Sequence, residues 1–325
     1  MKYRTQHHQG CEMQRLMAGT ALAIALLLGL ARQPARAGST AATKPETGEV
    51  DAPYQQSFNK WKAELVDDLK QNWLTLVGLY WLKPGTNTFG SDAGNSIVLP
   101  SGSTPARAGE FELRGKEVSV KVAPGVKATI GGKQESEAAL KPDTSGEPTV
   151  IELASLQMHV IVRGERIGIR VKDLNSPAVK NYRGPTFFPL DLKYRITAAW
   201  VPSDGKKTVD VPDVLGEVTP TPIAGQAKFK LNGQEATLIN LGGDPSKGLF
   251  FVFTDATGKT DTYPGGRFLQ TDPVVNGSVV LDFNRAYNPP CAVTPYATCP
   301  LAPKENRLAV AIPAGERYDR KKGGH

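Results

Sequence analysis

Gln157-Met-His-Val-Ile-Val-Arg163, then Gly164-Glu165, then Arg166-Ile-Gly-Ile-Arg-Val-Lys172 reads as a β-hairpin. Two runs rich in β-branched side chains flank a two-residue turn, and glycine in the first central position is what a type II′ turn requires. Counting back from the turn pairs Arg163 with Arg166, Val162 with Ile167, Val160 with Ile169 and His159 with Arg170. Alternation then puts Met158, Val160, Val162, Ile167, Ile169 and Val171 on one apolar face. Gln157, His159, Arg170 and Lys172 share the other.

The same cadence extends in both directions. Upstream, Ser96–Leu99, Phe111–Leu113, Val118–Val122, Ala128–Ile130 and Thr149–Leu153 are short apolar runs separated by Gly, Pro, Asn and Asp. Asp173 to Pro189 reads as a long irregular connection. Downstream the runs resume at Tyr194–Val201, Val209–Val211, Ala227–Leu231, Ala236–Asn240, Leu249–Thr254, Phe268–Leu269, Val279–Phe283 and Leu308–Ile312. This is an all-β pattern, with a sandwich- or barrel-like N-terminal half and a second β-rich half. One short helix precedes it. Phe58, Trp61, Leu65 and Leu69 fall at helical spacing, with Ser57 as the expected N-cap. Trp73–Leu82 is apolar enough for a buried strand or turn. Gly225 and Gly242-Gly243 read as turn glycines rather than a phosphate cradle.

The first residues read as an address. Arg15 precedes the apolar run Ala18–Ala31, which suits a signal-peptide core better than a membrane span, and Ala35-Arg-Ala37 gives a small-x-small cleavage pattern. Removing residues 1–37 takes 39 basic and 32 acidic residues to 34 and 31, a net of +3 in place of +7. That balance gives no nucleic-acid signal. The expected organisation is a leader over 1–37, a linker over 38–53 and an N-terminal β domain with its leading helix over 54–172. A C-terminal β domain over 173–316 and a frayed basic tail over 317–325 follow. The expected location is periplasmic or secreted, with no stable membrane insertion after processing.

One C-terminal stretch is dense in polar groups: Leu281-Asp-Phe-Asn-Arg-Ala-Tyr-Asn-Pro-Pro-Cys-Ala292, flanked by Gly266-Arg-Phe-Leu269, Ala297-Thr-Cys-Pro-Leu301 and Glu305-Asn-Arg-Leu308. Together these resemble an uncharacterised bacterial family, domain of unknown function 1684. Trp73–Leu82, Phe89-Gly-Ser91, Gly168–Asp173 and Phe188-Pro189 fit the same family, so the resemblance runs from about Phe58 to Glu316. It implies a β-rich protein and no particular activity. Phe89–Leu99 is also similar to the opening of forkhead-associated sandwiches, which bind phosphothreonine. Those modules carry Arg after the glycine and a Ser and His near the phosphate. Here Ser91 stands at the Arg position and no histidine is near, so the likeness extends to fold and not to phosphopeptide binding.

Three groups carry candidate chemistry. Cys291 and Cys299 close a short loop, and in an oxidising compartment the default is a disulfide. A catalytic cysteine would need Arg285 or His159 close by, and the spacing is not that of a C-x-x-C redox motif. Asp282 and Asn284 share a strand face. Asp282 is a candidate base, Tyr287 and Asn288 candidate donors to a bound oxygen, and His159 a further catalytic candidate. Against this stands a polar network that pins the Pro-Pro turn. Arg170, Arg267 and Arg285 would form an anion-binding fork if they converge, with Arg183 and Arg195 as further members; taken singly each reads as a salt-bridge partner. No cofactor or metal is implied: with the leader removed only His159 and His325 remain, and Asp-x-Asn lacks the glycine and glutamate of a calcium loop. The leading expectation is a cell-envelope binding or structural module for a small anionic or carbohydrate ligand. The alternative is a metal-independent hydrolase or lyase using Asp282 with Tyr287 or His159. Either site is expected where the Asp282–Cys299 loop meets Arg170 and Arg267.

Overall fold

The computed structural model describes residues 50–320, so the expected leader, most of the expected linker and the end of the expected tail lie outside the described residues. Asp51 caps α1 (Ala52–Asp68), its carboxylate accepting the Tyr54 backbone N–H at 2.8 Å, and Pro53 sits in the first turn, where no N–H is needed. The helix therefore starts earlier than expected. Ser57 is inside it rather than at its cap. A π-turn over Leu69–Trp73 ends it.

Ten strands follow in the N-terminal half: β1 (Leu76–Trp81), β2 (Gly85–Gly90), β3 (Ile97–Val98), β4 (Gly109–Arg114), β5 (Glu117–Val122), β6 (Thr129–Ile130), β7 (Glu137–Leu140), β8 (Ile151–Leu153), β9 (Leu156–Arg163) and β10 (Arg166–Asp173). They form two five-stranded sheets, ordered β1-β10-β9-β8-β6 and β3-β2-β4-β5-β7. Phe89, Phe111 and Val120 of one sheet and Met158, Val160 and Ile169 of the other share one core, which makes this half a sandwich. The β9–β10 register is the one read from the sequence, with His159 opposite Arg170. Of the two turn residues only Gly164 has positive φ, at 54°, as a II′ turn requires. The hairpin's second face is not left to solvent. Ile161 is fully buried and Arg170 is 4% exposed, because the C-terminal half packs there.

A short helix α2 (Pro177–Asn181) lies in the connection. The C-terminal half holds β11 (Arg195–Pro202), β12 (Thr208–Pro212), β13 (Val218–Pro222), β14 (Gly225–Leu231), β15 (Gln234–Ile239), β16 (Gly242–Asp244), β17 (Gly248–Phe253), β18 (Arg267–Gln270) and β19 (Ser278–Asp282). Sheets β15-β14-β11-β19 and β16-β17-β18 enclose a core that includes Phe229, Phe251, Phe253 and Phe283. β12 and β13 form a separate ribbon. Gly225 and Gly242-Gly243 thus open strands rather than turns. Leu308–Ile312 does not join a sheet, since its backbone is tied elsewhere: Leu308 N–H reaches Thr254 and Ile312 N–H reaches the Asp255 carboxylate.

Sequence order places α1 before the N-terminal sheets, but its packing is with the C-terminal ones. Leu65, Leu69 and Trp73 join Val252, Phe268 and Tyr287 in a third cluster, and Trp61 meets the Phe187 and Tyr287 rings edge-on. The described start of the basic tail is held rather than frayed. Arg317 pairs with Asp261 at 3.1 Å, and Tyr318 N–H donates to the Asp261 carbonyl.

Candidate functional site

Antiparallel pairing of β11 with β19 puts Arg195 directly opposite Asp282. Asp282 ends its strand, and the next residues turn at once into a 3-10 segment, Phe283–Arg285. That turn is held from behind by Gly315, whose φ is +80°. A Cβ there would lie 2.7 Å from the Phe283 carbonyl oxygen and 2.5 Å from that of Ala286. Only glycine lets the chain pass so close. Asn284 completes the brace like a strand partner, accepting from Asp191 N–H at 3.1 Å and donating to the Asp191 carbonyl at 3.0 Å.

Four side chains converge on the Asp282 carboxylate. The Tyr54 hydroxyl donates to both oxygens at 2.9 and 3.0 Å, and the Asn284 amide donates at 3.3 Å. Arg285 Nε lies at 3.5 Å and Arg195 Nε at 3.8 Å. Both are ion-pair distances, and the Arg285 Nε–H is not aligned for a hydrogen bond. Arg285 instead donates through Nη2 to Ser57 Oγ at 2.6 Å. Burial raises the Asp282 pKa above the ordinary carboxylate value, against the lowering effect of Tyr54, Arg285, Asn284 and Arg195. Burial, then the Asp282 charge, holds the Tyr54 phenol far above its usual value, so it remains a donor.

Tyr54, Ser57, Arg195, Asp282 and Arg285 line a cleft of about 420 Å³. Its walls come from the first turns of α1 (Asp51, Tyr54, Ser57), from the end of β18 (Gln270, Thr271, Asp272) and from Arg195, Asp282 and Arg285. The Arg195 side chain is 48% exposed, so a ligand in the cleft can reach it beside its ion pair with Asp282.

The other expected site residues lie elsewhere. Arg267 is 1% exposed, and its guanidinium is committed to Asp255 at 2.9 Å and to the carbonyls of Ile312 and Ala314. It is a core ion pair and does not face the cleft. Arg170 does meet the cysteine loop, donating to Thr298 Oγ1 at 3.3 Å, but its Nε has no hydrogen-bond partner. Burial, with Arg163 adding to it, brings its pKa down to about 10. His159 is across from it, and burial plus the Arg170 charge take the imidazole down to about 4. Tyr287 is buried against Trp61 and Phe268, and Asn288 binds the tail, its N–H to Glu316 at 2.8 Å and its amide to the Arg317 carbonyl. Cys291 and Cys299 are free thiols, so the expected disulfide is not formed in this structure.

Three residues escaped the sequence reading. Tyr54 and Ser57 belong to an apolar-spaced helix and signal nothing until it docks. Glu316 is 5% exposed, and burial pushes its pKa up to about 7 even with the Asn288 N–H donating to it. Ala-Gly-Glu at 314–316 was the only available cue. Among the described residues there is no group of three or more His, Cys, Asp or Glu arranged for a metal, and no helix long and apolar enough to cross a membrane.

Residues 180–317 match the model of a protein family of unknown function, DUF1684, so the chain carries this domain in its C-terminal half. The match takes in the cleft's Arg195, Asp282 and Arg285 and leaves the N-terminal sandwich and α1 outside it. Among solved structures, the chain is similar to an uncharacterized protein of Haloarcula marismortui. The two are 31% identical over 44% of this chain and 80% of that one, with a TM-score of 0.37. It is also similar to an FHA domain studied for phosphothreonine-dependent interactions, at 18% identity over 30% of this chain and 96% of that one, TM-score 0.21. The FHA domain of FhaA gives 17% over 29% and 97%, TM-score 0.21. No curated protein matches the chain.

Proposed function

We propose that this DUF1684-domain protein is an exported binding module whose Asp282 cleft takes a small saccharide. One observation carries the reading: a single cleft interleaves carboxylate acceptors (Asp51, Asp272, Asp282) with donors that include Arg195, Arg285 and Gln270. Vicinal sugar hydroxyls each donate and accept, so they suit such a lining. A bare anion suits it less. It would meet three carboxylates, and both guanidiniums already lie within ion-pair distance of Asp282. Export rests on the leader pattern of residues 1–37.

Calorimetric titration with neutral saccharides, uronates and inorganic sulfate tests this. A sugar should bind, and Arg195→Ala should weaken it by about tenfold, the cost of one charge-assisted hydrogen bond. Sulfate binding in preference to every sugar, or no sugar binding with Arg195 intact, would reject the reading.

The raised Asp282 pKa supports a second reading, in which its carboxyl transfers a proton during hydrolysis or elimination. Tyr287 and His159 lie outside the cleft, which leaves Tyr54 as the partner. Turnover that Asp282→Asn abolishes while binding persists would favour this enzyme over the binding module.

A further inference from the structure

The cysteine pair lies apart from the cleft and has its own geometry. Cys291 sits in the 3-10 turn Pro290–Ala292 and is partly exposed, whereas Cys299 is 5% exposed. The Cys291 backbone N–H donates to Cys299 Sγ at 3.2 Å, which holds the buried sulfur against the turn that carries Cys291. On the outer side the Tyr263 hydroxyl donates to Cys291 Sγ at 3.6 Å. Tyr263 is itself held edge-on by Tyr318, ring centres 4.9 Å apart. Backbone hydrogen bonds from Ala292, Val293 and Thr294 to Pro289 and Pro290 fix the turn that presents Cys291. The arrangement is asymmetric: one partly exposed sulfur met by the Tyr263 hydroxyl, and one buried sulfur behind it.

We propose that Cys291 and Cys299 are a reversible dithiol–disulfide couple that exchanges with small disulfides, Cys291 attacking and Cys299 resolving. The Cys291 thiolate attacks one sulfur of R–S–S–R, forming a mixed disulfide and releasing one thiolate, which takes up a proton. Cys299 then loses its proton and attacks Cys291 Sγ, releasing the second R–S⁻. The protein dithiol is oxidised by two electrons, and one external disulfide is reduced to two thiols. Electrostatics agree with the roles. The hydrogen bond from Cys299 holds the Cys291 thiol below its ordinary value, and burial holds Cys299 well above. Closing the bond would also fix Thr298, the neighbour of Cys299 that accepts from Arg163 at 2.9 Å and from Arg170 at 3.3 Å. The couple would thus tie the loop to the N-terminal sandwich.

The test uses the full chain carrying Cys11→Ser, so that only this pair reports. Reduced protein is incubated with glutathione disulfide, quenched with an alkylating agent and weighed by mass spectrometry. The expected product has lost two hydrogens and takes no alkyl group, while Cys299→Ser stops at one glutathione on Cys291. Cys291→Ser should react at least about tenfold more slowly. Two thiols still alkylatable after incubation would overturn the proposal. Limited alkylation of the unsubstituted pair, mapped by peptide, covers the case where Cys299→Ser does not fold. Preferential labelling of Cys291 is expected, and equal or reversed labelling would overturn the assigned roles.

Discussion

The Tyr54 hydroxyl is shared between both oxygens of Asp282, at 2.9 and 3.0 Å, across 228 positions of sequence. This bond joins the first turn of α1 to the end of β19, and it closes one wall of the cleft. It also explains how a carboxylate that is only 7% exposed is tolerated there. Arg195 and Arg285 supply charge at a distance, and Tyr54 supplies the short hydrogen bond. Tyr54→Phe removes that donor and leaves the ring's packing. A hydrogen bond to a buried charged group is worth about 1.5–3 kcal/mol, and the variant should be less stable by that amount. Urea denaturation reads it as a lower midpoint at unchanged slope. A midpoint equal to wild type would mean that water replaces the phenol.

Arg267 is the largest of the fully buried side chains, and its ion pair with Asp255 is enclosed on both sides. Asp255 also accepts from Thr257 and Ile312, so it organises the segment after β17. Arg267→Ala leaves that carboxylate buried without its cation, and the cost should be about 3–5 kcal/mol. Thermal unfolding checks this. A loss of ligand affinity in a variant of unchanged stability would instead return Arg267 to the binding site.

Arg170 should behave in the opposite way. It is buried with an unpartnered Nε and one long hydrogen bond to Thr298. Thr298 keeps its bond from Arg163, and Asp143 keeps its 2.6 Å pair with Arg163, when Arg170 is removed. Arg170→Met replaces a poorly compensated charge with an apolar chain of similar length. Stability should be unchanged or higher, as for other buried charges replaced by hydrophobic groups. A loss above about 2 kcal/mol, the scale of a hydrogen bond to a charged group, would show that the guanidinium has stronger partners than this geometry gives it.

The β9–β10 hairpin was legible in full, register and turn type included, because alternation and a two-residue loop determine both locally. Most other strands were visible as apolar runs. β2, β7, β13 and β16 were not, because Thr86, Asn87, Thr88, Glu137, Pro220 and Gly242-Gly243 interrupt the pattern. The site was half legible. Asp282 and Arg285 stand out among polar neighbours in one short motif, but what meets them depends on where α1 docks. The helix pattern shows that a face is apolar, not which sheet receives it. Arg267 was misplaced for a related reason. A buried arginine and a ligand-facing one read alike in sequence, and only Asp255, far from any motif, tells them apart.

His159 and Glu316 tie stability to pH in opposite directions. Burial takes His159 down to about 4 from a free value near 6.5, so between these limits the unfolded chain binds a proton that the folded one refuses. Its contribution is complete above about pH 6.5 and is lost as pH falls towards 4, an upper bound on the order of 3 kcal/mol. Burial pushes Glu316 up to about 7 from 4.5, so there the folded chain holds the extra proton. Its contribution is complete below pH 4.5 and is lost as pH rises through 7. The two opposing slopes overlap between about pH 4.5 and 6.5, and above that range only Glu316 acts. Glu316→Gln keeps an acceptor for the Asn288 N–H and removes the titration. Over pH 5 to 8, melting temperatures of the wild type should fall from about pH 6.5 through 7 and level off above it, while the variant stays level over the same interval. With Glu316→Gln in place, the acid limb from His159 should stand alone, and His159→Gln should flatten it. Parallel profiles for wild type and Glu316→Gln would mean that this carboxyl is solvated, with the tail displaced from Asn288.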